Sequence, residues 1–188
     1  GMTFMHRCAA ASFIALALGL SLAPAVHAQP QAPLATIAAL DVARYMGTWH
    51  EVARYPNVFQ RRCVADTSAR YTLLPDGRVE VLNRCRTAEG EVIEALGEAR
   101  QLGAADSPRL KVRFAPAWLG WLPLVWGDYW VIDLDDAYQL VAVSEPGRDY
   151  LWVLSRTPQV DAAAYEALLG RLAAQGFDLK RLERSPAR

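Results

Sequence analysis

The chain has 188 residues, and its 20 Lys and Arg side chains balance its 20 Asp and Glu side chains, so the formal net charge is zero. This balance excludes a protein that binds nucleic acid through a strongly basic surface. The part of the chain that follows an apolar N-terminal segment is long enough for one domain with a sizeable core.

The N-terminal segment is typical of a secretory signal peptide. A basic start at Arg7 precedes the apolar run "AAASFIALALGLSLA", and the small-residue site "VHA" ends at Ala28. The alternative is a retained membrane anchor, which needs about 20 or more apolar residues, and Pro24 interrupts the run. Cys8 lies before the run, whereas a lipid-anchored precursor carries its cysteine after it. We therefore expect export without a lipid anchor.

Three segments follow from this interpretation. Residues 1–28 are the signal peptide, with Gly1 as an extra residue before the initiating methionine. Residues 29–39 are rich in Pro, Ala and Gln without any period, and we expect a flexible N-terminal tail there. Residues 40–188 form the folded domain.

Two cysteines remain after the signal peptide, Cys63 and Cys85. An even number of cysteines in an exported chain predicts a disulfide. This disulfide would close a loop of about 23 residues and contribute roughly 3 kcal/mol in the chain-entropy model. The alternative is that they are free, reactive thiols.

From Gly47 onward, short runs of β-forming residues alternate with turn signals such as "PDG", "AEG" and "EPGRD". The runs, in chain order, are "WHEVARY", "DTSARYTLL", "RVEVLNRC", "EVIEALGEA", "RLKVRFA", "DYWVIDL", "YQLVAV" and "DYLWVLSR". Many short strands separated by such breakers indicate an all-β sandwich or barrel.

Alternation along these runs assigns side chains to the two faces of the sheet. In "EVIEALGEA", one face carries the small set Ile93, Ala95, Gly97 and Ala99. Small inward residues leave room for a ligand inside a barrel. The alternative is a strand that another backbone approaches closely.

One helix follows the strands, within "TPQVDAAAYEALLGRLAAQG". Its apolar residues recur at helical spacing and form a stripe that can pack on a sheet. Asp161 is the expected N-cap and Gly176 the expected C-terminal stop. The next residues, "FDLKRL", predict a short final strand.

Three motifs in this order resemble those of the lipocalin family, and most of all its bacterial outer-membrane type. "YMGTWHEVARYP" matches the opening G-x-W-[YF]-E motif, except that His50 replaces the usual aromatic residue. "GDYWVIDLD" matches the middle motif at Asp128 and Tyr129, and "DYLWVLSRTP" matches the last motif at Arg156. The resemblance extends over residues 40–182, nearly the whole exported chain.

The resemblance implies an all-β fold: an eight-stranded antiparallel up-and-down barrel with one C-terminal α-helix packed outside and a short final strand. It also implies that the Arg156 guanidinium packs across Trp49 at the closed end. Such a cation–π contact contributes about 0.5–2 kcal/mol. Gly47, Trp49 and Arg156 are therefore expected to be structural residues.

A barrel of this kind implies binding, transport or storage of a small lipophilic ligand, such as a fatty acid or a lysophospholipid. The candidate ligand-binding residues are inward aromatic, apolar and amide side chains of the strands, together with the tryptophans of one loop. They are Tyr55, Tyr71, Val81, Asn83, Phe114, Trp118, Trp121, Trp126, Tyr129, Tyr150 and Trp152. The expected setting is lipid maintenance in a bacterial envelope, in the periplasm or at the periphery of the outer membrane.

The loop at residues 117–127 contains three of the chain's six tryptophans and no charged side chain. Strand counting puts this loop at the open end of the barrel. A tryptophan-rich rim can act as a lid over the cavity, as a peripheral membrane contact or as a homodimer interface.

The sequence offers little for catalysis, and we predict no catalytic residue, no metal site and no cofactor. His50 is the only histidine after the signal peptide, and it is expected to face outward. Glu51 is either an inward carboxylate with a raised pKa or an ordinary hydrogen-bonded glutamate. The alternative to a binding protein is a lipocalin-fold enzyme that uses a free cavity thiol.

Overall fold

The computed structural model of the protein describes residues 23–25, 30–114 and 126–186. The chain divides into residues 1–30 and 31–188, and the fold below is that of the second unit. The first eight strands of this unit and their turns follow the predicted runs. β-branched and aromatic residues favour extended backbone, and Gly, Pro and Asp favour turns.

Eight antiparallel strands form a closed barrel. In chain order they are β1 Gly47–Arg54, β2 Ala65–Leu73, β3 Val79–Arg86, β4 Val92–Gln101, β5 Arg109–Phe114, β6 Gly127–Leu134, β7 Leu140–Ser144 and β8 Leu151–Ser155. Each strand pairs with the next one, and β1 pairs with both β8 and β2, which closes the ring. The predicted up-and-down barrel is confirmed.

The ring has a seam between β1 and β2. The first half of β1, from Gly47 to His50, pairs with β2, and its second half pairs instead with a ninth strand, β9, at Glu183–Arg184. The Ser185 N–H donates to the Val52 carbonyl (2.8 Å), and the Asp66 N–H donates to the Pro186 carbonyl (3.1 Å). The C-terminal segment therefore joins β1 to β2 where these two strands separate.

The final strand, Glu183–Arg184, begins directly after the end of the predicted run. Within "FDLKRL" the chain forms a 3₁₀ turn at Leu179–Arg181 instead of a strand. The Asp178 carboxylate accepts a hydrogen bond from the Lys180 N–H (3.0 Å), which starts this turn. Because an aspartate cap favours a turn over a strand, the extended segment begins only at Glu183.

A short helix, α1 at Val42–Tyr45, precedes the barrel, and the long helix, α2 at Ala162–Ala174, follows it. Asp161 caps α2 as predicted, since its carboxylate accepts from the Ala164 N–H (2.9 Å). Leu168 and Leu172 of α2 are fully buried against the outer face of the barrel.

The segment before α1 includes the second half of the predicted tail. Leu34 is buried in the same cluster as helix α2, and Leu40 is buried in the cluster inside the barrel. The Ile37 N–H donates to the Val131 carbonyl (3.0 Å). This segment therefore packs against the barrel, and Leu40 at its end reaches the inner cluster.

The closed end is built around Trp49, which has no exposed surface. The Arg156 guanidinium carbon lies 3.9 Å from the centre of its ring. The guanidinium also donates to the carbonyls of Arg44 (2.7 Å), Met46 (2.8 Å) and Tyr138 (3.2 Å). The contact implied by the resemblance is thus present, and Arg156 in addition connects the backbone of residues 44–46 with that of Tyr138.

Gly47 is required at this end for two reasons. Its φ of +99° is unfavourable for a residue with a side chain. A Cβ at this position would also lie 3.2 Å from Nη1 of Arg156. The glycine therefore lets Arg156 approach the start of β1.

Cys63 and Cys85 form the predicted disulfide, with 5.4 Å between their Cα atoms. Cys63 follows the 3₁₀ turn Val58–Gln60, and Cys85 lies near the end of β3. The bond therefore attaches the β1–β2 connection to the barrel wall at the open end.

Candidate functional site

A cavity of about 390 Å³ lies inside the barrel, within the range of about 300–1,000 Å³ typical of small-molecule sites. Its floor is above Trp49 and includes Leu40, Val42 and Met46. Its walls are apolar side chains that alternate along the strands, such as Val79 on β3 and Leu110 on β5. The interior is therefore suited to an apolar molecule.

The small face of β4 has two different explanations. Ala99 is buried and lines the cavity, so its small side chain leaves space for a ligand. A Cβ at Gly97 would instead overlap the Arg113 carbonyl and lie 2.6 Å from Phe114. At Ala99 the small side chain leaves room for a ligand, and at Gly97 the absence of a side chain allows another backbone to approach closely. Both alternatives from the sequence therefore occur on β4.

The structure brings most of the predicted ligand-binding residues together around the cavity. Those that line it are Tyr71, Val81, Asn83, Phe114, Tyr129, Tyr150 and Trp152.

Tyr55 lies outside the barrel, which corrects the inward orientation expected from strict alternation. It belongs to the core cluster under helix α2, and its hydroxyl donates to the Asp178 carbonyl (2.9 Å). The cause is a register shift between Glu51 and Ala53 in the pairing of β1 with β8. After an irregularity of this kind, the following side chains of the strand point to the opposite face of the sheet.

Trp126 is also absent from the cavity wall, contrary to the prediction. Its ring lies between the guanidinium groups of Arg100 and Arg113, at 4.6 and 4.7 Å. Both arginines are on the exposed face of their strands, so Trp126 packs on the outside of the barrel. Trp118 and Trp121, and with them most of the predicted rim, lie outside the described residues.

Three tyrosine hydroxyls meet deep in the cavity. Tyr129 on β6 shares hydrogen bonds with Tyr45 (2.6 Å) and with Tyr71 (2.8 Å). The ring of Tyr45 lies 5.1 Å from that of Trp49, which places the cluster directly above the closed end. Burial raises the pKa of all three phenols, that of Tyr71 to about 12. The cluster is therefore neutral and protonated at physiological pH.

A second polar group lies at the open end, around Gln60 in the β1–β2 connection. Its side-chain oxygen accepts from Asn57 (2.7 Å) and from the Trp152 indole (2.9 Å), and its amide donates to Glu51 (2.8 Å). Tyr150 stacks on Trp152 with 5.6 Å between ring centres. The open end thus combines aromatic surface with a fixed amide network.

Sequence reasoning missed Tyr45, Asn57 and Gln60. Tyr45 belongs to a helix of four residues, too short to show a period. Asn57 and Gln60 lie in a connection, where alternation gives no orientation. A cavity role for Gln60 could have been inferred only from its position between the end of β1 and Cys63.

Glu51 lies in the cavity wall, buried and fully hydrogen-bonded. Besides Gln60, its carboxylate accepts from the Ser185 hydroxyl (2.5 Å) and contacts Arg54 at 3.4 Å. Burial raises the pKa of Glu51, and these three partners lower it by a smaller amount. Glu51 is therefore both an inward carboxylate with a raised pKa and a hydrogen-bonded glutamate.

Glu51 should make the stability of the protein depend on pH. Its pKa in the folded state lies above its ordinary value of 4.5, so between these two values the folded state binds more protons than the unfolded state. The free energy of unfolding should then fall as pH rises through this window. We expect Glu51→Gln to show a smaller fall than the wild type, measured by urea unfolding between about pH 4 and pH 8. Equal slopes in the two proteins would contradict the assignment, and Glu89→Gln, on an exposed turn, is the matched control.

Within residues 23–25, 30–114 and 126–186, no group of three His, Cys, Asp or Glu side chains could hold a metal ion. The same residues contain no helix that is long and apolar enough to cross a membrane.

A family model described as a lipocalin-like domain matches residues 40–187 of this chain. The chain belongs to the lipocalin family. This lipocalin is 40% identical over 149 residues to temperature-induced lipocalin-1 of Arabidopsis thaliana, covering 78% of the chain and 79% of the relative. It is 35% identical over 142 residues to the outer membrane lipoprotein Blc of Escherichia coli K12, covering 75% and 76%.

Solved structures agree on the fold of this lipocalin. Insecticyanin from the tobacco hornworm Manduca sexta superposes with a TM-score of 0.62 at 16% identity, covering 78% of this chain and 80% of the other. At such low identity the likeness concerns the fold alone. Lipocalins as a family bind small hydrophobic ligands, in agreement with the apolar cavity of this lipocalin.

The alternative of a cavity thiol enzyme requires an unpaired cysteine. Cys63 does line the cavity of this lipocalin, but its sulfur is bonded to that of Cys85. Among the residues that the structure describes, neither cysteine therefore offers a thiolate while this bond is intact.

Proposed function

We propose that this lipocalin binds and carries a lipid with an aliphatic chain, such as a fatty acid or a lysophospholipid, in its barrel cavity. The observation that carries the proposal is the cavity of about 390 Å³ with apolar walls inside the closed barrel. Burial of an aliphatic chain there is favourable by about 0.8 kcal/mol for each methylene group.

The polar groups of the cavity are compatible with this class of ligand. Asn57 and Gln60 lie at the open end, and Asn83 adds an amide to the wall. The buried Oδ1 of Asn57 has no hydrogen-bond partner among the described residues. A lipid with an aliphatic chain and a small number of polar atoms is compatible with this distribution.

We further propose that the protein is exported across the inner membrane, loses residues 1–28, and maintains lipids in a bacterial envelope. The domain would then comprise residues 40–188, without a lipid anchor. The name of the Escherichia coli relative, an outer membrane lipoprotein, supports an envelope location. The apolar run before Ala28 supports export.

Filling the cavity tests the proposal. Ala99 on β4 is 5% exposed and faces the cavity, whereas Leu96 on the same strand is 51% exposed. We expect delipidated wild-type protein to bind a fluorescent fatty acid with about micromolar affinity, and Ala99→Phe to weaken that binding about tenfold or more. The added ring would occupy space that the aliphatic chain needs.

Leu96→Phe is the matched control, because it adds a similar ring on the outer face of the same strand. It should bind like the wild type. Thermal unfolding of Ala99→Phe checks that the barrel remains folded, since overpacking costs about 1–3 kcal/mol. Absence of wild-type binding across several chain lengths, or equal binding by Ala99→Phe, would overturn the proposal.

A further inference from the structure

The hydroxyl groups of Tyr45, Tyr71 and Tyr129 form an open chain. The Tyr129 hydroxyl is in the middle, at 2.6 and 2.8 Å from the other two, and among the described residues no hydrogen bond joins Tyr45 to Tyr71. Each hydroxyl has one proton to donate. Three protons serve two hydrogen bonds, so one O–H is left without an acceptor in every arrangement of the chain.

The part of the chain that the structure describes provides no acceptor for this proton. Within residues 30–114 and 126–186, the three hydroxyls make hydrogen bonds only with one another. All three side chains line the cavity, together with apolar neighbours such as Val79 and Leu110. A buried donor without an acceptor is destabilising, because it has lost its hydrogen bond to water. The cavity therefore contains an unsatisfied donor that a ligand can reach.

We infer that the tyrosine cluster Tyr45–Tyr71–Tyr129 is a binding site for an uncharged oxygen acceptor, such as a carbonyl, at the end of the ligand that enters the cavity first. This inference rests on the proposed function, because it concerns the orientation of a ligand in the same cavity. The polar end of such a ligand lies at the closed end of the barrel, and its apolar chain extends toward the open end.

The site does not suit an ionised group. A buried carboxylate needs several donors or a cation, and the cluster has one O–H to offer. Arg156 stacks on Trp49 and already donates to backbone carbonyls. The two arginines among the cavity-lining residues, Arg84 and Arg113, form ion pairs with Glu94 and Glu98. A ketone, an aldehyde, an ester or a protonated acid matches a single donor.

The test uses two ligands of nearly equal shape, 2-nonanone and 2-methyl-1-nonene, in which C=CH₂ replaces C=O. Their affinities are measured for the wild type and for Tyr45→Phe/Tyr71→Phe/Tyr129→Phe by displacement of a fluorescent apolar probe. The ratio of ketone to alkene affinity should be about threefold to tenfold higher in the wild type. The carbonyl stretching band of bound ketone should lie at lower frequency in the wild type, because a hydrogen bond weakens the C=O bond.

Single variants give a result that is specific to a chain of hydroxyls. Tyr45→Phe leaves two hydroxyls and one hydrogen bond between them, so one O–H is still free and the ketone preference should remain. Only removal of all three hydroxyls should abolish it. Tyr165→Phe, on helix α2 outside the cavity, controls for the substitution itself.

Three other results would overturn the inference. If both ligands bind but the triple variant keeps the wild-type ratio of ketone to alkene affinity, the ligand does not accept a hydrogen bond from the cluster. If Tyr150→Phe at the open end loses the ketone preference instead, the polar end lies at the mouth. If neither ligand binds to the wild type although the fluorescent fatty acid does, the inference fails and the proposed function stands. If the fatty acid does not bind either, the proposed function itself fails.

Discussion

Replacement of Trp49 by alanine is expected to lower the free energy of unfolding by about 3–5 kcal/mol, the range for removal of a large buried aromatic side chain. Trp49 has no exposed surface, and its indole N–H donates to the Tyr45 carbonyl at 2.8 Å. Alanine would leave a void at the closed end and a buried carbonyl without its donor. Urea unfolding followed by circular dichroism measures the difference.

The contact with Arg156 offers a control within the same chain. Arg109 stacks on Trp130 at 4.2 Å, close to the 3.9 Å of Arg156 on Trp49. Arg156 also donates to the backbone carbonyls of Met46 and Arg44, whereas the Arg109 side chain has no such bonds among the described residues. Arg156→Ala should therefore destabilise the protein more than Arg109→Ala, whose cost we expect to stay below about 1 kcal/mol. Equal costs would mean that stacking alone, without the carbonyl bonds, accounts for the role of Arg156.

Loss of the disulfide should cost about 3 kcal/mol in the free energy of unfolding. Cys63 and Cys85 are separated by 22 residues, and their bond restricts the unfolded chain. Cys63→Ala/Cys85→Ala should unfold at lower urea concentration than the oxidised wild type. The double alanine variant avoids a buried hydroxyl, which serine would introduce.

Reduction provides the second arm of this experiment. A reducing agent should shift the urea midpoint of the wild type toward that of Cys63→Ala/Cys85→Ala and leave the double variant unchanged. Thiol titration of a chain that begins at Gln29, unfolded without reductant, should find no free thiol. Two titratable thiols would contradict the pairing and restore the thiol enzyme as a candidate.

Alternation and turn signals were sufficient to predict the strands, the helix and an all-β sandwich or barrel. The closed eight-stranded barrel was expected only because three motifs resemble those of the lipocalin family. The strand pattern gave the wrong orientation where a local irregularity in strand pairing reverses the alternation of side chains between the two faces. Tyr55 was assigned to the cavity because nothing in "WHEVARY" reveals the register shift after Glu51. Such shifts depend on which strands compete for the same edge, and here β8 and β9 both pair with the second half of β1.

The candidate site was predictable where it lies on regular strands and unpredictable elsewhere. Tyr71 and Tyr129 were identified as inward residues, but their partner Tyr45 comes from a four-residue helix. Trp126 was assigned to the rim because its loop is apolar. Its actual position between two arginines depends on the pairing of β4 with β5, which brings Arg100 and Arg113 to one surface.

The ninth strand has a consequence for association between copies of the chain. Where β1 separates from β2, its backbone N–H and C=O groups would form a free sheet edge, and free edges promote pairing with strands of other molecules. Glu183–Arg184 occupies that edge, and the Ser185 hydroxyl bonds to Glu51, 134 residues earlier in the sequence. Contacts between such distant segments form late in folding. The C-terminal strand therefore covers this edge, and we expect the chain to be most prone to aggregate in the interval before this strand docks.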